Sequence, residues 1–296
     1  MITFVDLGSY GRLGNQLFQY AALKSLALKN NYEVKIPNPS SKVWHGQECL
    51  LGQLNLDCGH LEEEDLNRIK YVYEEPDYMK FDPNFHQLPD DINIRGFFQN
   101  VGYFQGFEDQ IKRELYPNKE MNTLGYEKIK KHKKDNPGYE IVSLHLRRGD
   151  NTDFSNPNPE MSTIYGNDGT LQPFTSYGRY LQASLDEFKS SKVKFLIFSG
   201  GSRQDGNDNT SDIDWCKKNF QEDHFLFSEG NSTLIDYSMI INSDHNIMSP
   251  LSTFGWWAAY LNPNPHKKVL APLNYHLDRD DIDHRQGFYP KEFMLK

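Results

Sequence analysis

The chain has 296 residues, 37% of them hydrophobic and 25% charged, with a formal net charge of −9 at pH 7. That length holds a sizeable core and favours two domains, and the balance excludes a disordered or fibrous chain. The acidic charge gives no nucleic-acid footprint, and Cys49, Cys58 and Cys216 are too few and too scattered for a disulfide framework or a zinc motif. Met1–Asp6 has neither the basic region nor the long apolar run of a signal peptide or anchor, and no window reaches 18 uncharged apolar residues. The expected address is cytoplasmic. Aromatic residues reach 14%, a share that packing largely accounts for and that sugar-binding clefts also use.

Ile2–Leu7 reads as a short strand, with Gly8, Gly11 and Gly14 turning the chain behind it. Asn15–Lys29 reads as a helix that is apolar almost all round, through Leu17, Phe18, Tyr20, Ala21, Ala22, Leu23, Leu26 and Leu28. Such a helix is covered on most sides. Residues 35–135 are mixed, with Ile94–Gln99 and Gly102–Phe104 at their centre. The run Lys130–Lys134 followed by Asn136-Pro137-Gly138 reads as a solvated helix end and a linker, so the domains are expected to be 1–137 and 138–296. Those lysines also offer peripheral contact with an inner-membrane surface, although one short cluster binds acidic lipid weakly.

From Glu140 onward the pattern is regular. Strand-like runs recur at Ile141–Leu146, Val193–Phe198, Phe225–Phe227, Asn246–Met248 and Val269–Ala271, and Tyr177–Lys189 and Ser232–Ile241 read as helices between them. Strands alternating with helices give an α/β class with a doubly wound parallel sheet, whose ligands bind at the carboxyl ends of the strands. The first strand runs straight into Arg147-Arg148-Gly149-Asp150. With a period of two, Ser143, His145 and Arg147 share a face and project together near that edge. Paired guanidiniums in an acidic protein suit a diphosphate, because each fork matches phosphate oxygens. The plain alternative is that one arginine pairs with Asp150 and the other is solvated; an Arg148–Asp150 adhesion tripeptide has no secretory context.

A second strand end, Ile247-Met248-Ser249-Pro250, leads to Ser252 at an N-cap and Thr253 opening a helix, an arrangement ready for phosphate. Trp256 and Trp257 further along read as core. A third, Phe198-Ser199-Gly200-Gly201, enters a polar loop containing Asp212-Ile213-Asp214, with a similar triplet at Asp281-Ile282-Asp283. Such triplets can hold a divalent metal and a nucleotide diphosphate, but neither directly follows a clear apolar strand.

These residues resemble a known family. Gly11-Arg12-Leu13-Gly14-Asn15-Gln16-Leu17-Phe18-Gln19-Tyr20-Ala21 looks like the N-terminal signature of the family 11 α-1,2-fucosyltransferases of bacterial type. His145-Leu146-Arg147-Arg148-Gly149-Asp150 resembles the His-x-Arg-Arg-x-Asp motif that they share with α-1,6- and protein O-fucosyltransferases. Gly96-Phe97-Phe98-Gln99 with Tyr103-Phe104 is similar to their aromatic-Gln segment. Asp236-Tyr237, His245-Asn246-Ile247 and Ser252–Trp257 resemble their C-terminal block. One departure stands out: the family usually has Ser-Asp-Asp where this chain has Ser199-Gly200-Gly201.

The resemblance implies a GT-B arrangement of two Rossmann-like domains facing a cleft, with GDP-fucose mostly on the second. Arg147 and Arg148 would contact the diphosphate. His145, Ser199, His245, Ser252, Thr253 and Phe254 would shape the donor site, and Gly14 and Asn15 would approach fucose. It also implies inversion, one in-line displacement by the 2-hydroxyl of a terminal galactose in a β-galactoside glycan. No metal or other cofactor is expected, since the arginine pair supplies the positive charge. Asp150 is the nearest acid to serve as base, although two adjacent cations acidify it, and a water relay competes with it. The rival readings are a metal-dependent Asp-x-Asp glycosyltransferase and a carbohydrate-binding protein without catalysis.

Overall fold

The structure is a computed structural model and describes residues 1–44, 47–149, 176–200, 210–275, 283 and 286–296. The chain divides into two units, Met1–Lys119 with His284–Pro290, and Glu120–Asp283 with Lys291–Lys296.

In the first unit, β1 is only Ile2–Thr3, shorter than the apolar run Ile2–Leu7. Backbone bonds from Leu7 N to Phe4 O (3.0 Å) and from Ser9 N to Asp6 O (2.9 Å) wind the remainder into turns. Helix α1 (Leu13–Asn30) follows, and Asn31 in the left-handed region ends it. It is buried on nearly every side from Leu13 to Ala27, as its apolar sequence requires. Arg12 stands at its N-cap and does not cap it with a side-chain bond. Two glutamines tie the entry instead: Gln16 Nε2 donates to Gly11 O (2.8 Å), and Gln19 Nε2 to Tyr10 O (2.8 Å) and Gly96 O (3.2 Å). Two short pairs, β2 (Lys35–Ile36) with β5 (Gly59–His60) and β3 (Val43–Trp44) with β4 (Gln47–Glu48), lie beyond it. Strands β6 (Tyr71–Glu74) and β7 (Ile92–Arg95) join β1 in a three-stranded parallel sheet of order β1-β7-β6. Helix α2 (Glu108–Leu115) buries Ile111 and Leu115 and packs on α1, whose Tyr20 OH donates to Glu114 Oε2.

The second unit opens with α3 (Lys119–Asp135), so the division falls earlier than the linker at 136–138. A close helix contact is the reason. A Cβ on Gly125 would lie 2.3 Å from Ser238 Oγ, and Asn242 Nδ2 donates to Asn122 Oδ1 (2.9 Å). Then come β8 (Glu140–Arg147), α4 (Ser176–Asp186), β9 (Val193–Gly200), α5 (Thr210–Asn219), β10 (Phe225–Phe227), α6 (Thr233–Ile241), β11 (His245–Ile247), α7 (Thr253–Leu261), β12 (Val269–Ala271) and β13 (Met294–Leu295). They build a six-stranded, wholly parallel sheet of order β10-β9-β8-β11-β12-β13. Ile141, Val142, Leu144 and Leu146 are all buried, so β8 is covered on both faces, the usual state of a central parallel strand. Trp256 and Trp257, both at 0% exposure, belong to the core.

The C-terminal stretch returns to the first unit before it ends in the second. Val101 N donates to Gly287 O (2.7 Å) and Asn100 Nδ2 to Gln286 O (3.0 Å), while Met294 and Leu295 pair with β12. Among the described residues, no helix is long and apolar enough to cross a membrane.

Candidate active site

The strand order locates the site. The chain moves outward from β8 through β9 to β10, then crosses back to β11 and moves outward the other way through β12. The order therefore reverses between β8 and β11, and a doubly wound sheet opens a crevice there, beyond the carboxyl ends. Residues 145–149 and 248–254 lie at those two ends.

Arg147 is fastened to the second segment. Its backbone N–H donates to Ser249 Oγ (3.0 Å), and its Nη1 donates to the carbonyl of Leu251. Leu251 has a φ of +54°, so the chain turns sharply just ahead of α7. Ser252 then caps α7, its Oγ accepting from Gly255 N (3.2 Å), and Ser252 and Thr253 are buried. A guanidinium thus stands beside a capped helix N-terminus, two elements that favour the same anion.

His145 is 7% exposed and lies against the first turn of α7. Its ring centroid is 5.7 Å from that of Phe254, and a Cβ on Gly255 would lie 2.7 Å from its Nδ1. Among the described residues, that buried Nδ1 has no hydrogen-bond partner. Burial, aided by the Arg147 charge, pushes the imidazole pKa down to about 3, so the ring is neutral at physiological pH. Phe254 is half-buried between His145 and Tyr237, whose ring lies 5.3 Å away.

Arg148 is buried at 6% exposure. Its Nε lies 3.4 Å from Asp212 Oδ1, and its guanidinium carbon sits 3.8 Å above the Trp215 ring. Asp212, itself fully buried, also accepts from Gly149 N (3.2 Å) through Oδ2. The Asp212–Asp214 triplet is thus divided, with Asp212 turned inward to the arginine and Asp214 exposed on α5. Ser199 stands in register with Leu146 and donates to its carbonyl (2.8 Å). The neighbouring Cys216 thiol is pushed up to about 11 by burial.

His145, Arg147, Arg148, Ser199, Ser252, Thr253 and Phe254 therefore gather at one sheet edge. His245 does not. It opens β11 opposite Val142, at the amino end, and its Nδ1 accepts from Lys268 N (2.9 Å). Its Nε2 lies 3.4 Å from Glu140 Oε2. This corrects its placement in the donor site: it closes the opposite end of the sheet. Asp150 and Gly201 lie outside the described residues, as do Asp281 and Ile282 of the second triplet.

In the first unit, Gly14 is buried in the opening turn of α1, and Asn15 is held by a hydrogen-bond chain. Gln99 Nε2 donates to Asn15 Oδ1 (3.0 Å), and Tyr78 OH donates to Gln99 Oε1 (3.0 Å). The aromatic-Gln segment owes its shape to Glu75, whose Oε2 accepts from Phe97 N (2.8 Å) and Phe98 N (3.0 Å). Phe98 there takes a φ of +53°. Phe97 stacks on Tyr10 with centroids 4.9 Å apart. Tyr78, Glu75 and Trp215 escape a reading of motifs because their partners are distant in sequence. Ser249, directly before Pro250 at a strand end, and Asp212, within an acidic triplet, carry local signals, but not of the contacts they make.

Two α/β units, each with a parallel sheet, and basic and helix-terminal groups where the strand order of the second reverses, define an α/β fold with an anion-binding sheet edge. The solved structure of POFUT1 in complex with GDP matches it with a TM-score of 0.51 at 14% identity, covering 90% of this chain and 97% of that one. That likeness is in fold, of the GT-B kind. The family model described as glycosyl transferase family 11 matches residues 2–293, and the chain belongs to that family. Its relatives include the alpha-1,2-colitosyltransferase of Escherichia coli, 25% identical over 298 residues and 92% of both chains. Galactoside alpha-(1,2)-fucosyltransferase 2 of Gorilla gorilla gorilla is 25% identical over 267 residues, 86% of this chain and 68% of its own.

Proposed function

We propose that this glycosyltransferase is an inverting galactoside α-1,2-fucosyltransferase. It moves L-fucose from GDP-fucose to the 2-hydroxyl of a terminal galactose, without a metal ion. The observation that carries the reading is Arg147 fastened beside the capped N-terminus of α7. When C1–O to GDP breaks, negative charge grows on the leaving diphosphate while the sugar takes on oxocarbenium character. Fixed cations and N–H groups that already point at that charge need no reorganisation during the reaction. Arg147 and Arg148 supply the cations, Ser252 and Thr253 the helix end, and the neutral His145 a polar wall that adds no charge. Gly14 and Asn15 are assigned to the fucose side, and Asp150 to the proton of the acceptor hydroxyl.

Release of GDP from GDP-fucose in the presence of lactose and excess EDTA tests the reading. Turnover that persists supports it, and complete loss on chelation refutes the metal-free part. Arg147→Ala should lower turnover about a hundredfold or more, the cost of removing one donor aimed at developing charge. The colitosyltransferase relative favours a second donor, because colitose is fucose lacking one hydroxyl. Transfer from a colitosyl donor with none from GDP-fucose would replace fucose in the assignment.

A further inference from the structure

The chain lacks an acid directly after Ser199, yet a buried arginine stands in register beside that place. Arg147 pairs with Gly200, and the next residue, Arg148, donates its backbone N–H to Gly200 O (3.2 Å). A guanidinium at 6% exposure needs a counter-charge close by, since an unpaired buried charge costs several kcal/mol. The first turn of α5 supplies it. Asp212 and Trp215, three residues apart, lie on one face of that helix. The carboxylate takes the Nε edge at 3.4 Å and the indole lies under the guanidinium plane at 3.8 Å.

We propose that Asp212 and Trp215 are positioning residues that clamp Arg148 and the Gly149 turn for donor binding, replacing from α5 the acid absent at 200–201. The inference rests on the reading of this sheet edge as the diphosphate site. Asp212 engages two groups at once, forming an ion pair with the guanidinium through Oδ1 at 3.4 Å and accepting from the Gly149 N–H through Oδ2 (3.2 Å). It thereby sets both where the charge of Arg148 sits and the direction in which the chain leaves β8. Trp215 is half-buried and adds a cation–π contact with a preferred plane, which a compact ammonium would not reproduce. The same carboxylate cannot also serve as half of a metal-binding triplet, because Asp214 is exposed on another side of α5. Asp212 pairs functionally with Trp215, three residues on, around one cation, and not with Asp214.

GDP titration and steady-state kinetics on the full chain test the clamp. Asp212→Asn keeps the shape and removes the charge; it should weaken GDP binding about tenfold or more, as expected when one partner of a buried ion pair is lost. It should also raise the donor KM while the acceptor KM stays unchanged. Trp215→Phe, which keeps a flat ring, should stay near the parent, and Trp215→Leu should lose about threefold in GDP affinity. If Asp212→Asn does not fold, Trp215→Leu decides alone, because its site is half-buried and its melting temperature should stay within a few degrees. Parent-like GDP affinity in folded Asp212→Asn, or in Trp215→Leu when that variant decides, overturns the clamp. Failure of the unaltered chain to bind GDP refutes the donor reading itself, a distinguishable result.

Discussion

His145 shows how one side chain can be read in sequence while its chemical state cannot. Its place in the strand, on the face of Ser143 and Arg147, follows from a period of two. Its neutrality does not, because that depends on burial by α7, a helix more than a hundred residues later. With a folded-state pKa near 3 against about 6.5 in the unfolded chain, the unfolded state binds the extra proton first. Stability from this group is therefore complete above about pH 6.5 and is lost as pH falls toward about 3. The slope is on the order of 1 kcal/mol per pH unit within that window. His145→Asn should flatten the acid limb of a stability–pH curve measured by urea unfolding, relative to the parent. An unchanged limb would show that the imidazole is not buried neutral. His245 makes the complementary point. Similarity grouped it with the donor residues, but register pairs it with Val142, at the wrong end of the strand for chemistry.

At the level of elements, the parallel strands of the second unit were legible because each is an apolar run, and a parallel strand covered on both faces needs nothing else. β1 was overread for the same reason, since apolar side chains at 4, 5 and 7 also serve a buried turn. The run Lys130–Lys134 reads as a solvated helix end, and it closes the longer helix α3. Its C-terminal half fits that, with Lys130, Lys131 and Lys134 exposed, but Gly125 and Ile129 are buried within the second unit. A glycine inside a helix weakens it unless something approaches closely, and here the approach is Ser238 and the backbone of α6. Gly125→Ala should thus destabilise, despite the better helix propensity of alanine. The added methyl would meet Ser238 Oγ at 2.3 Å and Met239 N at 2.9 Å, a clash that costs about 1–3 kcal/mol. A lower denaturation midpoint with unchanged slope would register it, and a gain in stability would contradict the packing.

Across the whole molecule, the alternation of strands and helices announced an α/β chain of two units, but not the way the last residues are shared. No run in 284–296 marks it. The contacts include backbone bonds and close approaches, such as Gly287 against Asn100, where a Cβ would fall 2.7 Å from Oδ1. Phe288, 1% exposed, stacks near Phe18 of α1 at 6.3 Å, so this short stretch fills part of the core of the first unit. A chain stopped after Asp283 loses that filling and the β13 edge together. Both units should then unfold at lower urea than in the full chain, seen as tryptophan fluorescence and circular dichroism shifting together. A change confined to the second unit would contradict the sharing.

The same return of the C-terminus imposes an order on biosynthesis. Residues 1–119 leave the ribosome long before Gln286–Phe288, which complete part of their core. The amino-terminal unit begins early and closes late, with a cavity beside α1 for most of translation. The second unit has its central strands in hand well before that. Synthesis from one end to the other does not make the first unit the first to be complete, and a nascent chain paused near residue 280 would expose the apolar flank of α1 to chaperones.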